Sequence, residues 1–193
     1  MPRLVVNLGV VLLALAVGGA LVACKEGNPI DEVIAPASAE FTEQQIPAGV
    51  SDHHVSLRTS AVSAGRITLD VVITEIDQPV TGIAIKLSYP ESFSRFVKCT
   101  DGTLFPAGTC HFAEPGAGSG EVFVARSITS PDQATNVTGN QVIARLEFLI
   151  FGVGSGAIRF EGQNLGGGDA SAVLDANRDP IFVQWYAGVL EGL

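Results

Sequence analysis

The chain has 193 residues, with 11 lysines and arginines against 20 aspartates and glutamates, for a formal net charge of −9. This acidic balance excludes the basic face that nucleic-acid binding requires, and it argues against attachment to anionic lipid through basic residues. The length allows one domain of ordinary size with its own hydrophobic core.

The N-terminus has the pattern of a secretory signal. Arg3 supplies a positive charge, the following residues up to position 23 are almost wholly apolar, and small residues precede Cys24. The stretch Leu21-Val22-Ala23-Cys24 resembles the lipobox of bacterial lipoproteins, in which the signal is cleaved before the cysteine and the cysteine is acylated. We therefore expect a lipoprotein signal peptide over residues 1–23 and attachment to a membrane through acyl chains on Cys24.

An uncleaved membrane anchor is the alternative, because about 20 apolar residues can span a bilayer. Either arrangement places the following domain outside the cytoplasm. In the lipoprotein resemblance an Asp after the cysteine often marks retention in the inner membrane, whereas this chain has Lys25. We expect a lipid-anchored protein of the cell envelope, with the outer membrane favoured.

Residues 24–50 are expected to form a flexible tether after the lipidated cysteine. The segment contains Pro29, Pro36 and Pro47, several small residues and scattered acids, without a sustained hydrophobic period. A flexible coil of this length would reach roughly 30 Å.

From residue 51 onward the pattern changes to strands. Apolar and polar residues alternate with period two, and β-branched and aromatic residues are frequent at the apolar positions. The alternating runs are 55–59, 67–73, 83–89, 144–150, 158–161 and 181–189. Turns containing Gly or Pro separate them, and no long amphipathic helix competes. The sequence predicts an all-β domain over residues 51–193, a two-sheet antiparallel β-sandwich of jelly-roll type with about nine strands.

The two remaining cysteines, Cys99 and Cys110, are expected to form a disulfide in an oxidising compartment once Cys24 carries lipid. The alternative is a zinc site that includes His111, but the spacing matches no compact zinc motif.

The order of these segments resembles a cohesin domain over roughly residues 54–192. The first half of that resemblance lies in "GRITLDVVITEIDQPVTGIAIKLSYPESFSRFVKC", which carries Gly82-Ile83 and Tyr89-Pro90. The second half lies in "EVFVARSI", "NQVIARLEFLIFG", "GAIRFEGQNLGG" and "LDANRDPIFVQWYAGVL".

Cohesins bind dockerins, small calcium-loaded helical modules, through the outer face of one sheet. The resemblance places strand 83–89 and the strands around Phe123 and Leu146 on that sheet. The outward candidates for partner binding are Lys86, Ser88, Arg145 and Glu147, which ordinary solvated strands would also show. The implied function is a non-enzymatic module for protein binding or assembly in the cell envelope, with a dockerin-like protein or an envelope or secretion component as partner.

Asp175, Asn177 and Asp179 occupy alternate positions, as the first ligands of an EF-hand calcium loop do. Pro180 stands where such a loop has glycine, and Tyr186 stands where it has the bidentate Glu. We therefore expect a polar hairpin turn here, with a structural calcium site as the alternative. No other metal or cofactor is expected.

No residue set in the sequence indicates an enzyme. The Gly-Val-Gly-Ser-Gly run at 152–156 superficially resembles a nucleophile elbow, but no helix is expected after it. His53, His54 and His111 lack an acidic partner at a telling spacing. Nothing selects a pair of carboxylates for glycoside hydrolysis, so a hydrolase is only a third hypothesis.

A carbohydrate-binding module of similar sandwich fold is the second hypothesis for function. Such modules usually present several coplanar aromatic side chains to a polysaccharide, and this chain has one Trp and two Tyr. Trp185 and Tyr186 are adjacent on the last expected strand and should face opposite sides of it.

Overall fold

The computed structural model describes residues 38–50, 52–105, 110–114, 119–128, 134–164 and 171–193. The expected signal peptide, Cys24 and the first part of the expected tether lie outside these ranges. Within them no helix is long and apolar enough to cross a membrane.

Twelve strands make up the regular structure of the described residues. In chain order they are β1 (Ala39–Glu43), β2 (His54–Ser63), β3 (Arg66–Ser88), β4 (Ser94–Asp101), β5 (His111–Ala113), β6 (Glu121–Ser127), β7 (Thr135–Ile150), β8 (Gly154–Phe160), β9 (Ala172–Asp175), β10 (Pro180–Ile181), β11 (Gln184–Tyr186) and β12 (Gly188–Gly192).

The all-β sandwich class is confirmed, with differences in strand count and direction. The single closing strand expected over 181–189 is divided into β10, β11 and β12. The three strands have different neighbours, because β10 pairs with β9, β11 pairs with β2, and β12 pairs with β8 and β1. The strands pair antiparallel except for β2 and β11, which run parallel. Trp185, Tyr186 and Ala187 are all buried, so the alternation breaks where β11 ends, but it does not show which neighbour each strand joins.

The long strand β3 belongs to both layers of the sandwich. Its first half lies between β2 and β7, and its second half lies between β6 and β9, with β8 pairing at its end. Register shifts on either side of Ile76 mark the change of neighbours. We call β4-β7-β3-β2-β11 the first layer and β5-β6-β3-β9-β10 the second layer. The strands β8, β12 and β1 continue from the end of β3.

The hydrophobic core lies between the inward-facing side chains of these strands. The alternate apolar residues of β3 are each at most 2 % exposed, and they are Ile67, Leu69, Val71, Ile73, Ile83, Ile85 and Leu87. Burying a side chain of this size contributes about 1.5–3 kcal/mol. The period-two pattern of the sequence therefore identifies the core side of β3 correctly in both halves.

The segment Ala39–Glu43, which the sequence places in the tether, is instead the edge strand β1. It pairs with β12 over five residues, and the ring of Phe41 is buried. A Cβ atom on Gly188 would lie 2.3 Å from the carbonyl oxygen of Thr42, so glycine permits this close approach. The folded unit therefore begins before residue 51. The alternation of Ala39 and Phe41 with polar residues is too short to distinguish a strand from a coil.

The expected disulfide is present. Cys99 on β4 is bonded to Cys110, which immediately precedes β5, and their Cα atoms are 5.8 Å apart. The bond joins β4, an edge strand of the first layer, to the residue before β5, an edge strand of the second layer.

Candidate docking surface

The four residues expected to bind a partner lie on two different layers. Lys86 and Ser88 are on the second half of β3, whereas Arg145 and Glu147 are on β7, which pairs with the first half of β3 and with β4. The strand that carries Arg145 and Glu147 therefore does not pair with the half of β3 that carries Lys86 and Ser88. Whether any of them contacts a partner stays a prediction.

Arg145 and Glu147 belong to a network of ion pairs on the outer face of the first layer. The Glu147 carboxylate lies 2.5 Å from Arg66 Nη1 and 3.2 Å from Lys98 Nζ. Arg145 Nε lies 3.2 Å from Asp70 Oδ1. Burial raises the pKa of Glu147, but the hydrogen bonds and charges of Arg66 and Lys98 outweigh it and leave the pKa below its usual value. These five charged residues are paired within the chain, and they make this part of the face polar.

The outer face of the second layer is different, because small apolar residues cross it. Ala84 on β3 has Ala172 on β9 as its register partner on one side and Ala125 on β6 on the other. The next strand continues this row with His111, the register partner of Ala125 on β5. We call Ala172, Ala84 and Ala125 the alanine row. Ala125 is exposed and Ala84 is half-buried, whereas Ala172 is only 5 % exposed, so Ala84 and Ala125 form the accessible part of the row.

Phe123 forms one border of the alanine row. It is the register partner of Lys86 on β3 and of Ala113 on β5. A shallow groove of about 210 Å³ lies between the Phe123 side chain and the outward residues of β5. Its lining is mostly apolar and includes Ala84, Ala125 and His111.

A second depression of about 290 Å³ borders the alanine row on its other side. It is lined by Gly82, Ser127, Leu174 and Arg178 among others. A Cβ atom on Gly82 would lie 3.0 Å from the carbonyl oxygen of Arg126 and 3.0 Å from Ser127 Cβ, so a side chain there would crowd β6 and fill the depression. We call the alanine row and these two depressions the docking surface.

Lys86 and Ser88 border the docking surface, and both already have partners in the chain. Lys86 Nζ lies 3.3 Å from Glu121 Oε1 and 5.2 Å from the centre of the Phe123 ring, so the lysine lies along the sheet. Ser88 Oγ donates a hydrogen bond of 2.6 Å to Glu161. Each could contact a partner only at the rim.

The residues at the centre of this surface were missed by the sequence reasoning, which looked for polar side chains. A signal was present. In "GIAIKLS" and "EVFVARS" the outward positions next to buried Ile85 and Val124 are Ala84 and Ala125. A solvated strand usually carries polar residues at such positions, so small apolar ones on two strands indicate a face available for contact.

The expected hairpin turn after Leu174 is confirmed, since β9 and β10 pair on either side of it. Asp175 Oδ1 accepts hydrogen bonds of 2.8 Å from the backbone N–H groups of Asn177 and Asp179. The described residues contain no group of three or more His, Cys, Asp or Glu side chains suited to a metal ion. A calcium ion at this turn, which stays a prediction, would compete with these N–H groups for the carboxylate.

The aromatic pair considered for sugar binding is buried. Trp185 is 6 % exposed, donates its indole N–H to Asn164 Oδ1 at 3.2 Å and packs against Phe160 at 4.9 Å between ring centres. Tyr186 is 7 % exposed and packs edge-on against the buried His54. Neither ring can stack on a sugar without rearrangement of the chain around it.

Comparisons with known proteins identify the fold. No protein-family model and no curated protein matches the chain. Solved structures that resemble it are cohesin modules. The second type II cohesin module from the cellulosomal adaptor ScaA scaffoldin of Acetivibrio cellulolyticus has a TM-score of 0.57 at 12 % identity, over 72 % of this chain and 94 % of that one.

Two further structures from the same organism contain dockerins. A mutant of the type II cohesin-X-dockerin complex has a TM-score of 0.56 at 12 % identity, over 70 % of this chain and 95 % of that one. The sixth cohesin of scaffoldin B, in complex with a Cel5 dockerin mutant, has a TM-score of 0.55 at 12 % identity, over 71 % and 96 % of the two chains. This chain therefore has a cohesin-like fold.

Proposed function

We propose that the chain is a non-enzymatic protein-binding module that receives a dockerin-like helical partner on the docking surface. The observation that carries the proposal is the alanine row. The accessible methyl side chains of Ala84 and Ala125 on adjacent strands allow the backbone of a helix to approach the sheet closely, and they leave an apolar area free of paired charges.

The charged residues beside the alanine row favour binding of a specific protein partner over nonspecific hydrophobic association. The Lys86–Glu121 pair stands on one side of the alanine row and Arg178 on the other. Charged residues at the rim of an apolar centre are the usual arrangement of a protein–protein interface, where they set the orientation of the partner. The cohesin structures solved with dockerins support the choice of partner.

We also propose that acyl chains on Cys24 hold this module at the cell envelope, with the outer membrane favoured. The support for this part is the apolar N-terminal segment and its lipobox resemblance. Mass spectrometry of Cys24 from membranes of the native host tests it. An unmodified cysteine following an intact N-terminal segment would support the uncleaved anchor instead.

A binding experiment tests the proposed partner. The full chain in detergent is immobilised and exposed to a panel of calcium-loaded dockerin modules, with and without a calcium chelator. Ala125→Arg places a long charged side chain in the alanine row, which should keep a partner from approaching the sheet. We expect the affinity to fall at least about tenfold, which corresponds to about 1.4 kcal/mol of binding free energy, because the centre of an interface contributes most of that energy. Ala61→Arg is the matched control, because Ala61 is exposed on β2 in the first layer.

Equal affinity of the two arginine variants would refute the location of the site. Failure of every dockerin to bind, together with binding on a glycan array, would replace the proposal with the carbohydrate-binding alternative.

A further inference from the structure

One charged side chain lies inside the second layer. Arg126 is on the same side of β6 as Val122 and Val124, and it is only 2 % exposed. A buried guanidinium requires acceptors and a countercharge, because burial without them costs several kcal/mol. Its acceptors therefore show which parts of the fold it holds.

Within the described residues, the Arg126 guanidinium joins β6 to β7 and to the segment at the end of β4. Nη1 donates a hydrogen bond of 2.9 Å to the carbonyl of Ile143 on β7, and Nη2 donates one of 2.7 Å to the carbonyl of Phe105. Nη1 also lies 3.4 Å from Asp101 Oδ1 at the end of β4. One side chain of the second layer thus holds backbone that follows β4 and backbone of β7.

Asp101 carries this connection to β5. The same Oδ1 atom accepts a hydrogen bond of 2.8 Å from the backbone N–H of Cys110, the residue before β5. Cys110 is in turn bonded to Cys99 on β4. The start of β5 is therefore held twice, by the disulfide and by the Asp101 carboxylate that pairs with Arg126.

β5 needs such support because it is short and at the edge. It has three residues, all of them exposed, and in the described part of the chain it pairs with β6 alone. A strand of this length with one neighbour has little stability of its own. Phe112 adds an edge-on contact with Phe96, 5.2 Å between ring centres.

We propose that Arg126, Asp101 and the Cys99–Cys110 disulfide are positioning residues for the docking surface, which hold β5 in line with β6. This inference rests on the proposed function, since β5 supplies His111 beside the alanine row and Ala113 beside Phe123. None of the three positioning elements contacts the partner itself. Arg126 acts from inside the sandwich, and the exposed Asp101 carboxylate and the disulfide connect it to β5.

Hydrogen exchange of the full chain, followed by mass spectrometry, tests the positioning without any partner. In Asp101→Ala we expect the amides of β5 to exchange at least about tenfold faster, while those of β9, at the other side of the same layer, keep their rate. Cys99→Ala/Cys110→Ala should act in the same direction. Asp101→Asn keeps an acceptor for the Cys110 N–H and should restore part of the protection. Thr100→Ala, at an exposed neighbour on β4, is the control.

Unchanged exchange of β5 in both Asp101→Ala and the cysteine variant would overturn the proposal, as would equal acceleration of β5 and β9. With a dockerin that binds, the cysteine variant should show at least about tenfold weaker affinity. Faster exchange of β5 with unchanged affinity would overturn its link to docking. Failure of all dockerins to bind would contradict the proposed partner and leave the exchange result to decide the positioning.

Discussion

Lys86 and Phe123 are register partners on β3 and β6, and the lysine ammonium lies 5.2 Å from the centre of the phenylalanine ring. Glu121 completes the arrangement at 3.3 Å from the same ammonium. The lysine chain thus covers an aromatic side chain at the border of the docking surface, and its charge is partly neutralised.

The Lys86–Glu121 pair is partly exposed, so its contribution to stability should be small. A double-mutant cycle with Lys86→Gln and Glu121→Gln should give a coupling below about 1 kcal/mol in the free energy of unfolding, because surface ion pairs are screened by solvent. Chemical denaturation at low and moderate salt measures it. A coupling of several kcal/mol would show that the pair is structural and unsuited to exchange contacts with a partner.

His54 should make stability fall on mild acidification. Burial lowers the pKa of His54 from 6.5, the backbone and charge of Asp52 raise it in part, and the charge of Arg58 lowers it. As pH falls through 6.5, the unfolded chain therefore binds more protons than the folded one. The free energy of unfolding becomes smaller as pH falls through this range.

His54→Phe, which keeps a ring against Tyr186 but cannot titrate, should remove this pH dependence between pH 7 and 5. His111→Phe, at an exposed position on β5, should keep it. Thermal unfolding at a series of pH values compares the three proteins, and an unchanged slope in His54→Phe would contradict the assignment.

Glu147 should affect the free energy of unfolding at a lower pH than His54 does. Burial opposes its ionisation, but Arg66 and Lys98 lower its pKa below 4.5, so the stability that it contributes is present above that pH and is lost as pH falls through the lowered pKa. Glu147→Gln should cost about 0.5–1 kcal/mol at pH 7, with a smaller difference from wild type at pH 3. Urea denaturation at both pH values checks this. A constant difference would indicate a packing effect rather than a charge effect.

Phe41 distinguishes a folded edge strand from a tether. Phe41→Ala should lower the free energy of unfolding by about 2–4 kcal/mol, since the ring is 7 % exposed and packs on the strand pair β1–β12. Glu40→Ala on the exposed side of β1 should change it by less than about 0.5 kcal/mol. Equal and negligible effects of the two substitutions would mean that residues 39–43 do not contribute to the fold.

The sequence by itself determined the class of fold and the inward side of the main strands. Alternating residues such as Ile83, Ile85 and Leu87 are buried whichever strands lie beside them, because successive side chains in any strand point to opposite faces. The disulfide could be predicted for a comparable reason, since assigning Cys24 to lipid leaves only Cys99 and Cys110. Local chemistry was sufficient in both cases.

Only the tertiary structure decided which strands are neighbours, and therefore where a partner could bind. Backbone hydrogen bonds join strands without regard to residue type, so nothing in the sequence around Arg145 showed that β7 pairs with the first half of β3 instead of with β6. Ala84, Ala125 and Ala172 come from three strands far apart in the chain, and register alone places them side by side. Arg126 likewise alternates like a core residue, and its acceptors become evident only when β4 and β7 are folded around it.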